Sequence, residues 1–165
     1  MPILDPNSIE FISRSAEQTR RVGMRLGSFI GDGVLICLEG ELGSGKTTFV
    51  QGLAAGWGSL DQVSSPTFVL VNLYRHPGGK RFYHVDAYRL NSAQEALELD
   101  LEVMLASGSI VIEWAEKIEP ILPQERLWVT LRDISRDQRD MIFTAQGRYY
   151  HSLLKIFRQR LYGGM

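Results

Sequence analysis

Residues 34–49 read VLICLEGELGSGKTTF, which is an apolar run, a loop containing three glycines and the start of a helix-forming segment. The apolar run predicts a buried strand over residues 34–39. The residues after the loop predict a helix over about 47–55, which ends at Gly56, Trp57 and Gly58. The loop is therefore expected to join the carboxyl end of a strand to the amino end of a helix.

The loop itself has the pattern glycine, four residues, glycine, lysine, threonine, which is typical of a phosphate-binding loop (P-loop). Glycines let the backbone wrap phosphate groups with N–H groups pointing inward, and the amino end of the helix favours an anion. Lys46 is expected to reach the β and γ phosphates, and Thr47 to offer its hydroxyl to Mg²⁺. The predicted nucleotide-binding residues of the loop and the start of the helix are Leu42, Gly43, Ser44, Gly45, Lys46, Thr47 and Thr48. No guanine-selecting NKxD string is present, so ATP is favoured over GTP.

Three residues outside the loop are candidates for catalysis. Glu113 follows SIVI, so a buried strand would bring it to the edge of the sheet where magnesium ligands gather; the alternative is an ordinary acid at a strand end. Asp86 closes FYHVD and could order the attacking water or support the metal, or it could cap the following turn. Thr67 in SSPTF is a candidate sensor of the γ phosphate, and the alternative is a strand entry set by Pro66.

Two more residues have a structural reading that outweighs a catalytic one. His84 is interpreted as a packed strand histidine rather than a base. Trp114 is expected to form a partly buried wall of the site, with a partner contact as the other possibility.

The rest of the chain predicts one α/β domain over residues 1–165, beginning with a polar lead. The predicted elements are a helix capped by Ser13 or Ser15 and running to about Ile30, a hairpin of residues 68–74 and 81–86, a helix after Ser92 through AQEALELDLEVMLA, a strand IVIEW, late strands at 126–131 and 141–146, and a terminal helix YYHSLLKIFRQRLY. Helices alternating with buried strands predict a mainly parallel sheet of the P-loop NTPase type with helices on both faces. The hairpin and the late strands predict antiparallel edges.

Composition excludes several classes of protein. The formal net charge is −1, which argues against electrostatic coating of nucleic acid, so any link to RNA is expected to run through a partner. The single cysteine, Cys37, lies in an apolar run and predicts a buried thiol. No Cys/His cluster for zinc and no G-x-S-x-G elbow occur, and no apolar stretch approaches the 18 residues of a membrane span. A soluble cytoplasmic protein is therefore expected.

Four motifs in order resemble the TsaE family of bacterial ATPases of tRNA threonylcarbamoyladenosine biosynthesis: GELGSGKTTF, SSPTFVLVNLY, HVDAYRL and IEWAEKI followed by LP. The resemblance covers residues 13–146 and leaves the tail of 147–165 outside. It implies a small P-loop ATPase that uses Mg²⁺, converts ATP to ADP slowly alone and works on the TsaD and TsaB pair. That pair installs threonylcarbamoyl on A37 of tRNAs that read ANN codons.

The resemblance also implies roles for individual residues. Lys46 matches the lysine that contacts phosphate, Thr47 matches the threonine that binds magnesium, and Thr48 follows it; Glu113 matches the metal acid. Asp86 matches the acid of an HxDxYR string, and residues 65–68 match a switch-like loop. Ser15 and Thr19 match a segment that contacts adenine, and Arg139 matches an arginine that approaches the nucleotide. Glu41 and Ser44 stand where the family more often has Asp and Ala.

Two alternative functions and one surface stay open on the sequence. A small-molecule kinase would need a mobile arginine-rich lid, for which the acidic QEALELD is poorly suited, and a nucleotide-sensing scaffold would bind ATP without useful hydrolysis. In the tail, Lys155, Arg158 and Arg160 predict a solvated polar face, or else a contact with phosphate or a partner.

Overall fold

The computed structural model describes residues 7–41, 43–63 and 71–162 of the chain. The strands are β1 (Ser8–Ser13), β2 (Leu35–Glu39), β3 (Val71–Arg75), β4 (Arg81–Asp86), β5 (Ser109–Glu113), β6 (Arg126–Ser135) and β7 (Gln138–Gln146). The α-helices are α1 (Ala16–Gly27), α2 (Lys46–Trp57), α3 (Leu101–Ser107) and α4 (Arg148–Tyr162), with 3₁₀-helices at Ala93–Leu99 and Ala115–Ile121.

The strands form one sheet in the order β1-β7-β6-β2-β5-β4-β3. The four central strands, β6, β2, β5 and β4, are mutually parallel. Short turns join β3 to β4 and β6 to β7, so these pairs are antiparallel, and β1 pairs antiparallel with β7 at the edge. This arrangement confirms the predicted α/β fold, a mainly parallel sheet with a hairpin and antiparallel edges.

The central strand β2 separates two hydrophobic layers. Successive side chains of a strand point to opposite faces. Ile36 and Leu38 join the layer that contains α1, α2 and α4. Leu35 and Cys37 join the layer that contains α3 and both 3₁₀-helices. Helices therefore cover both faces, as predicted, and burial of the Cys37 thiol raises its pKa to about 12.

The terminal helix α4 is anchored to the rest of the molecule. The backbone N–H of Leu35 donates to the Tyr150 hydroxyl at 2.8 Å, and Phe157 is fully buried. Arg158 donates to the carbonyl of Ser8, while the carbonyl of Arg160 accepts from Arg25. Among the residues described here, no helix has the length and apolar character needed to cross a membrane.

Two expectations about local structure are wrong. The amino-terminal segment, expected to be a polar lead, contains the edge strand β1. This strand is held in place because the side chain of Ile9 packs into the core. The single helix expected after Ser92 is instead divided at Asp100 into a 3₁₀-helix and the α-helix α3. Asp100 adopts a φ of 51°, which aspartate tolerates better than most residues, and its side chain then caps α3 by accepting from the N–H of Val103.

Helices α1 and α2 approach each other so closely that glycine is required at their contact. A β-carbon at Gly52 would lie 1.9 Å from the carbonyl oxygen of Arg20, and one at Gly27 would lie 2.1 Å from that of Leu53. Both obstacles are backbone atoms, which cannot rotate away. The position of α2, and with it the loop that precedes it, therefore depends on these glycines.

We expect Gly52→Ala to destabilise the fold. Alanine is the better helix former by about 1 kcal/mol, but forced overpacking typically costs about 1–3 kcal/mol and here the clash is with backbone. Thermal unfolding of the variant should show a lower melting temperature than the wild type. The matched control is Gly31→Ala, since a β-carbon there meets its nearest atom at 3.8 Å. Equal melting temperatures for the Gly52 variant and the wild type would contradict the close approach.

Candidate nucleotide site

The loop between β2 and α2 turns by means of two glycines. Gly43 has a φ of 80° and Gly45 a φ of 99°, conformations that are strained for residues with a β-carbon. The helix begins at Lys46, and its cap residue Gly45 has no side chain that could accept from the N–H groups of the first turn. The first N–H groups of a helix have no intrahelical acceptor, so this end is suited to an anion.

Lys46 lies folded over its own loop. The residue is 5% exposed, and Nζ donates to the carbonyl of Gly40, to that of Glu41 at 2.8 Å and to Ser44 Oγ at 3.2 Å. Nζ also lies 4.2 Å from the centre of a Trp114 ring. Burial lowers the pKa of Lys46, although nearby Glu113 opposes the shift. The ammonium thus points its donors at loop oxygens, whose places phosphate oxygens could take.

Glu113 meets Thr47 at the carboxyl end of β5. The parallel register pairs Leu38 of β2 with Glu113, which places the carboxylate beside the start of α2. The Thr47 hydroxyl donates to Glu113 Oε1 at 3.5 Å, and Glu113 is 4% exposed. The structure therefore brings together the lysine, the threonine and the acid that the sequence indicated.

Asp86 ends β4 beside Glu113, its register partner across the parallel pair of β4 and β5. Its Oδ1 accepts from the backbone N–H of Tyr88 at 2.9 Å, so it caps the following turn as one reading expected. Burial raises the pKa of Asp86, and the charge of Glu113 adds to the rise. The carboxylate is half-buried, and so it caps the turn while also lying next to the candidate metal acid.

Arg139 reaches the loop from β7. Its Nη2 donates to the carbonyl of Gly43 at 3.0 Å, and its Nη1 lies 3.2 Å from Asp133 Oδ1. The contact with Gly43 spans 96 positions in the chain. This places the arginine against the backbone of the glycine loop between β2 and α2.

Ser15 and Thr19, the predicted adenine contacts, are engaged in local hydrogen bonds. Ser15 caps α1 by accepting from the N–H of Gln18 at 3.0 Å. The Thr19 hydroxyl lies 2.6 Å from that of Ser13, which is the register partner of Arg139. Two predicted site residues, Leu42 and Thr67, lie outside the described residues, as does the switch-like stretch 65–68.

Sequence reasoning missed the surroundings of His84. The ring is fully buried, as expected for a packed histidine, yet its Nε2 lies 2.5 Å from Glu113 Oε2. The available signal was the two-residue period, which puts His84 and Asp86 on one face of β4. That face could be assigned to the candidate site only once β4 was known to lie next to β5.

The donor set fits a magnesium nucleotide. Mg²⁺ prefers hard oxygen ligands and keeps several waters, so one hydroxyl and one carboxylate from the protein are enough. Thr47 and Glu113 provide these two oxygens, and Lys46 provides the positive charge beside the helix amino end. The arrangement is suited chemically to holding phosphates and a divalent ion together.

Comparison with known proteins identifies one family and several relatives that resemble this chain. A family model described as threonylcarbamoyl adenosine biosynthesis protein TsaE matches residues 13–141. The tRNA threonylcarbamoyladenosine biosynthesis protein TsaE of Bacillus subtilis is 40% identical over 137 residues, covering 83% of this chain and 85% of that protein. The protein of the same name from Treponema pallidum is 37% identical over 131 residues, covering 79% of this chain and 96% of that protein.

A solved structure agrees with the sequence comparison. The crystal structure of YdiB from Bacillus subtilis superposes with a TM-score of 0.77 at 32% identity, covering 93% of this chain and 95% of that one. The matched residues 13–141 include the glycine loop, Asp86, Glu113 and Arg139.

Proposed function

Because the chain belongs to the TsaE family, we propose that it acts in the biosynthesis of threonylcarbamoyladenosine in tRNA as a magnesium-dependent ATPase. The observation that carries this proposal is the meeting of Lys46, Thr47 and Glu113 at the junction of β2, α2 and β5. Phosphoryl transfer depends mainly on positioning and on charge stabilisation, and these are the side chains that supply both.

Each of these side chains has a role in the proposal. The loop N–H groups and Lys46 would hold the phosphates, with Lys46 exchanging its loop oxygens for phosphate oxygens. Thr47 and Glu113 would hold Mg²⁺, which neutralises phosphate charge when it is bound. Asp86, next to Glu113, would orient the attacking water, and Arg139 would steady the loop at Gly43. The products would be ADP and phosphate.

Hydrolysis is proposed to be slow in the isolated protein and coupled to the TsaD and TsaB pair. Arg139, which contacts the loop, donates to the carbonyls of Gly43, Ser135 and Gln138. An arginine held in this way is poorly placed to stabilise the negative charge that develops on the phosphates during hydrolysis. Because an arginine finger raises the rate of phosphoryl transfer by about 10³–10⁵-fold, the protein is expected to be slow without one. The net charge of −1 favours contact with tRNA through that complex rather than directly, and the proposed location is the cytoplasm.

The proposed function is tested by depleting the protein from cells and measuring threonylcarbamoyladenosine in their tRNA, with rescue by wild type and by Glu113→Ala. Loss of the modification that only the wild type restores supports the proposal. Rescue by both proteins would instead favour a scaffold that needs no hydrolysis.

ATP turnover of the purified protein, measured with and without TsaD and TsaB, tests the proposed coupling. Rapid turnover by the protein alone would contradict it.

Asp86→Asn is expected to stabilise the fold at neutral pH while slowing hydrolysis. Because burial raises the pKa of Asp86, the folded protein binds the proton more tightly than the unfolded chain does, so ionised Asp86 lowers stability. This penalty is present above the pKa in the folded protein and disappears as the pH falls toward the ordinary value of about 4. The asparagine oxygen can still accept from Tyr88.

Thermal unfolding of wild type and Asp86→Asn across pH checks the sign of that effect. The variant should have the higher melting temperature at pH 7, and the gap should narrow as the pH is lowered. A variant that is less stable than wild type at pH 7, or a gap that does not change with pH, would contradict the assignment of Asp86 as a half-buried, destabilising carboxylate.

A further inference from the structure

Glu113 is the end of a chain of buried hydrogen bonds that the proposed roles do not use. The Tyr74 hydroxyl lies 2.7 Å from His84 Nδ1, and His84 Nε2 lies 2.5 Å from Glu113 Oε2. Tyr74, His84 and Glu113 are 3%, 0% and 4% exposed, respectively. The other carboxylate oxygen, Oε1, accepts from Thr47. Side chains from β4 and α2 therefore contact the two oxygens of one carboxylate, and a side chain from β3 contacts the β4 side chain from behind.

The order of donors along this chain follows from chemistry. An ionised carboxylate can only accept hydrogen bonds, so Nε2 of His84 must carry a proton and donate to Glu113. In the neutral ring Nδ1 is then an acceptor, and the Tyr74 hydroxyl donates to it. An ionised Glu113 therefore selects this tautomer of His84, and the Tyr74 hydroxyl, which can donate or accept, completes the hydrogen bonding of the ring.

This chain also determines which oxygen Glu113 offers to the loop. A carboxylate at the end of a strand can rotate about its side-chain bonds, and either oxygen could face Thr47. The bond from His84 engages Oε2 and leaves Oε1 on the side of Thr47. Hydrogen bonds behind a metal ligand commonly set its orientation and basicity in this way.

Resting on the proposed function, we propose that His84 and Tyr74 are positioning residues that hold Glu113 Oε1 toward Thr47 and the Mg²⁺ position. A histidine that served only to pack the core would be replaceable by an apolar ring of similar size. A positioning histidine requires a donor at Nε2. Substitutions that separate shape from hydrogen bonding distinguish these roles.

The test is the dissociation constant of ADP measured by calorimetry with Mg²⁺ and again with EDTA, in the full-length protein. We expect Mg²⁺ to tighten binding in the wild type, and His84→Phe to reduce that gain by roughly 10- to 100-fold, the usual effect of losing such a support. Binding in EDTA should be unchanged. His84→Gln, whose amide N–H can replace Nε2, should recover most of the gain, and Tyr74→Phe should lose a smaller part of it.

Tyr83→Phe is the matched control. This change removes a tyrosine hydroxyl from the same hairpin. The Tyr83 hydroxyl lies 2.8 Å from Ser107 Oγ and is not part of the hydrogen bonds that lead to Glu113. The control should keep the wild-type gain from Mg²⁺. Because the ring of Tyr74 still packs beside His84 after loss of the hydroxyl, Tyr74→Phe provides a test that does not depend on the folding of His84→Phe.

The outcomes separate the two proposals. If the wild type gains affinity from Mg²⁺ and both His84→Phe and Tyr74→Phe gain as much, the positioning role is overturned while the proposed function stands. If the folded wild type binds no ADP under either condition, the proposed function and the positioning role both fail. Selective loss of the gain in His84→Phe and Tyr74→Phe, with recovery in His84→Gln, supports the positioning role.

Discussion

Replacing Lys46 with methionine is expected to reduce ATP hydrolysis by roughly 10²–10³-fold, the range found when one preorganised donor is removed from a site that stabilises negative charge. Methionine keeps most of the length and apolar character of the side chain but has no ammonium group. The group it removes is the one that donates to the loop oxygens of Gly40, Glu41 and Ser44. Nucleotide affinity should fall with the rate, because the ammonium would contact the phosphates before and during the reaction.

The fold should survive this change. Burial lowers the pKa of Lys46, which means that folding disfavours its charged form and that an apolar replacement relieves this cost. Lys46→Met is therefore expected to melt at or above the temperature of the wild type. Lys117→Met is the control, since Lys117 Nζ also lies near Trp114, at 6.0 Å from its ring, but outside the loop. Equal losses of hydrolysis in the two variants would contradict a specific role for Lys46.

Glu113→Gln is expected to reduce hydrolysis by a similar factor of roughly 10²–10³ and to remove most of its dependence on Mg²⁺. Glutamine is nearly the same shape, and its oxygen can still accept from His84, so the buried hydrogen bond is kept while the negative charge is lost. The measurement is the hydrolysis rate as a function of Mg²⁺ concentration, together with thermal unfolding.

A carboxylate on the neighbouring 3₁₀-helix provides the comparison. Glu119 has a side chain that is 55% exposed and pairs with Arg126, so Glu119→Gln changes the charge by the same amount away from the loop. This control should hydrolyse ATP like the wild type. If Glu113→Gln kept the wild-type response to Mg²⁺, the assignment of Glu113 as the metal acid would be wrong.

The parts of the site that could be predicted are those whose residues are consecutive in the sequence. Strand, loop and helix follow one another over residues 34–49, and the conformations of Gly43 and Gly45 are local consequences of that order. The role of Glu113 could also be predicted, because a buried strand such as SIVI in an α/β protein places the residue at its carboxyl end beside the edge where ligands bind.

The contacts that were missed depend on which strands are neighbours. His84 becomes a partner of Glu113 only because β4 pairs with β5, and Arg139 reaches Gly43 only because β7 lies beside β6 at the loop end of the sheet. Lys46 binds the carbonyls of its own loop, and backbone acceptors carry no signal in the amino-acid pattern. The break at Asp100 was missed for another reason, since the surrounding residues are individually good helix formers.

The central claim is that the loop around Gly43, Gly45 and Lys46 binds a nucleotide through its phosphates together with Mg²⁺. Its most direct test is calorimetric titration of the full-length wild-type protein with ATP in the presence of Mg²⁺, repeated with Lys46→Met. We predict saturable binding of one ATP per chain by the wild type, and binding weakened by roughly 10²-fold or more in the variant. A folded wild-type protein that takes up no ATP, or that binds it equally well with and without the Lys46 ammonium, would contradict the claim.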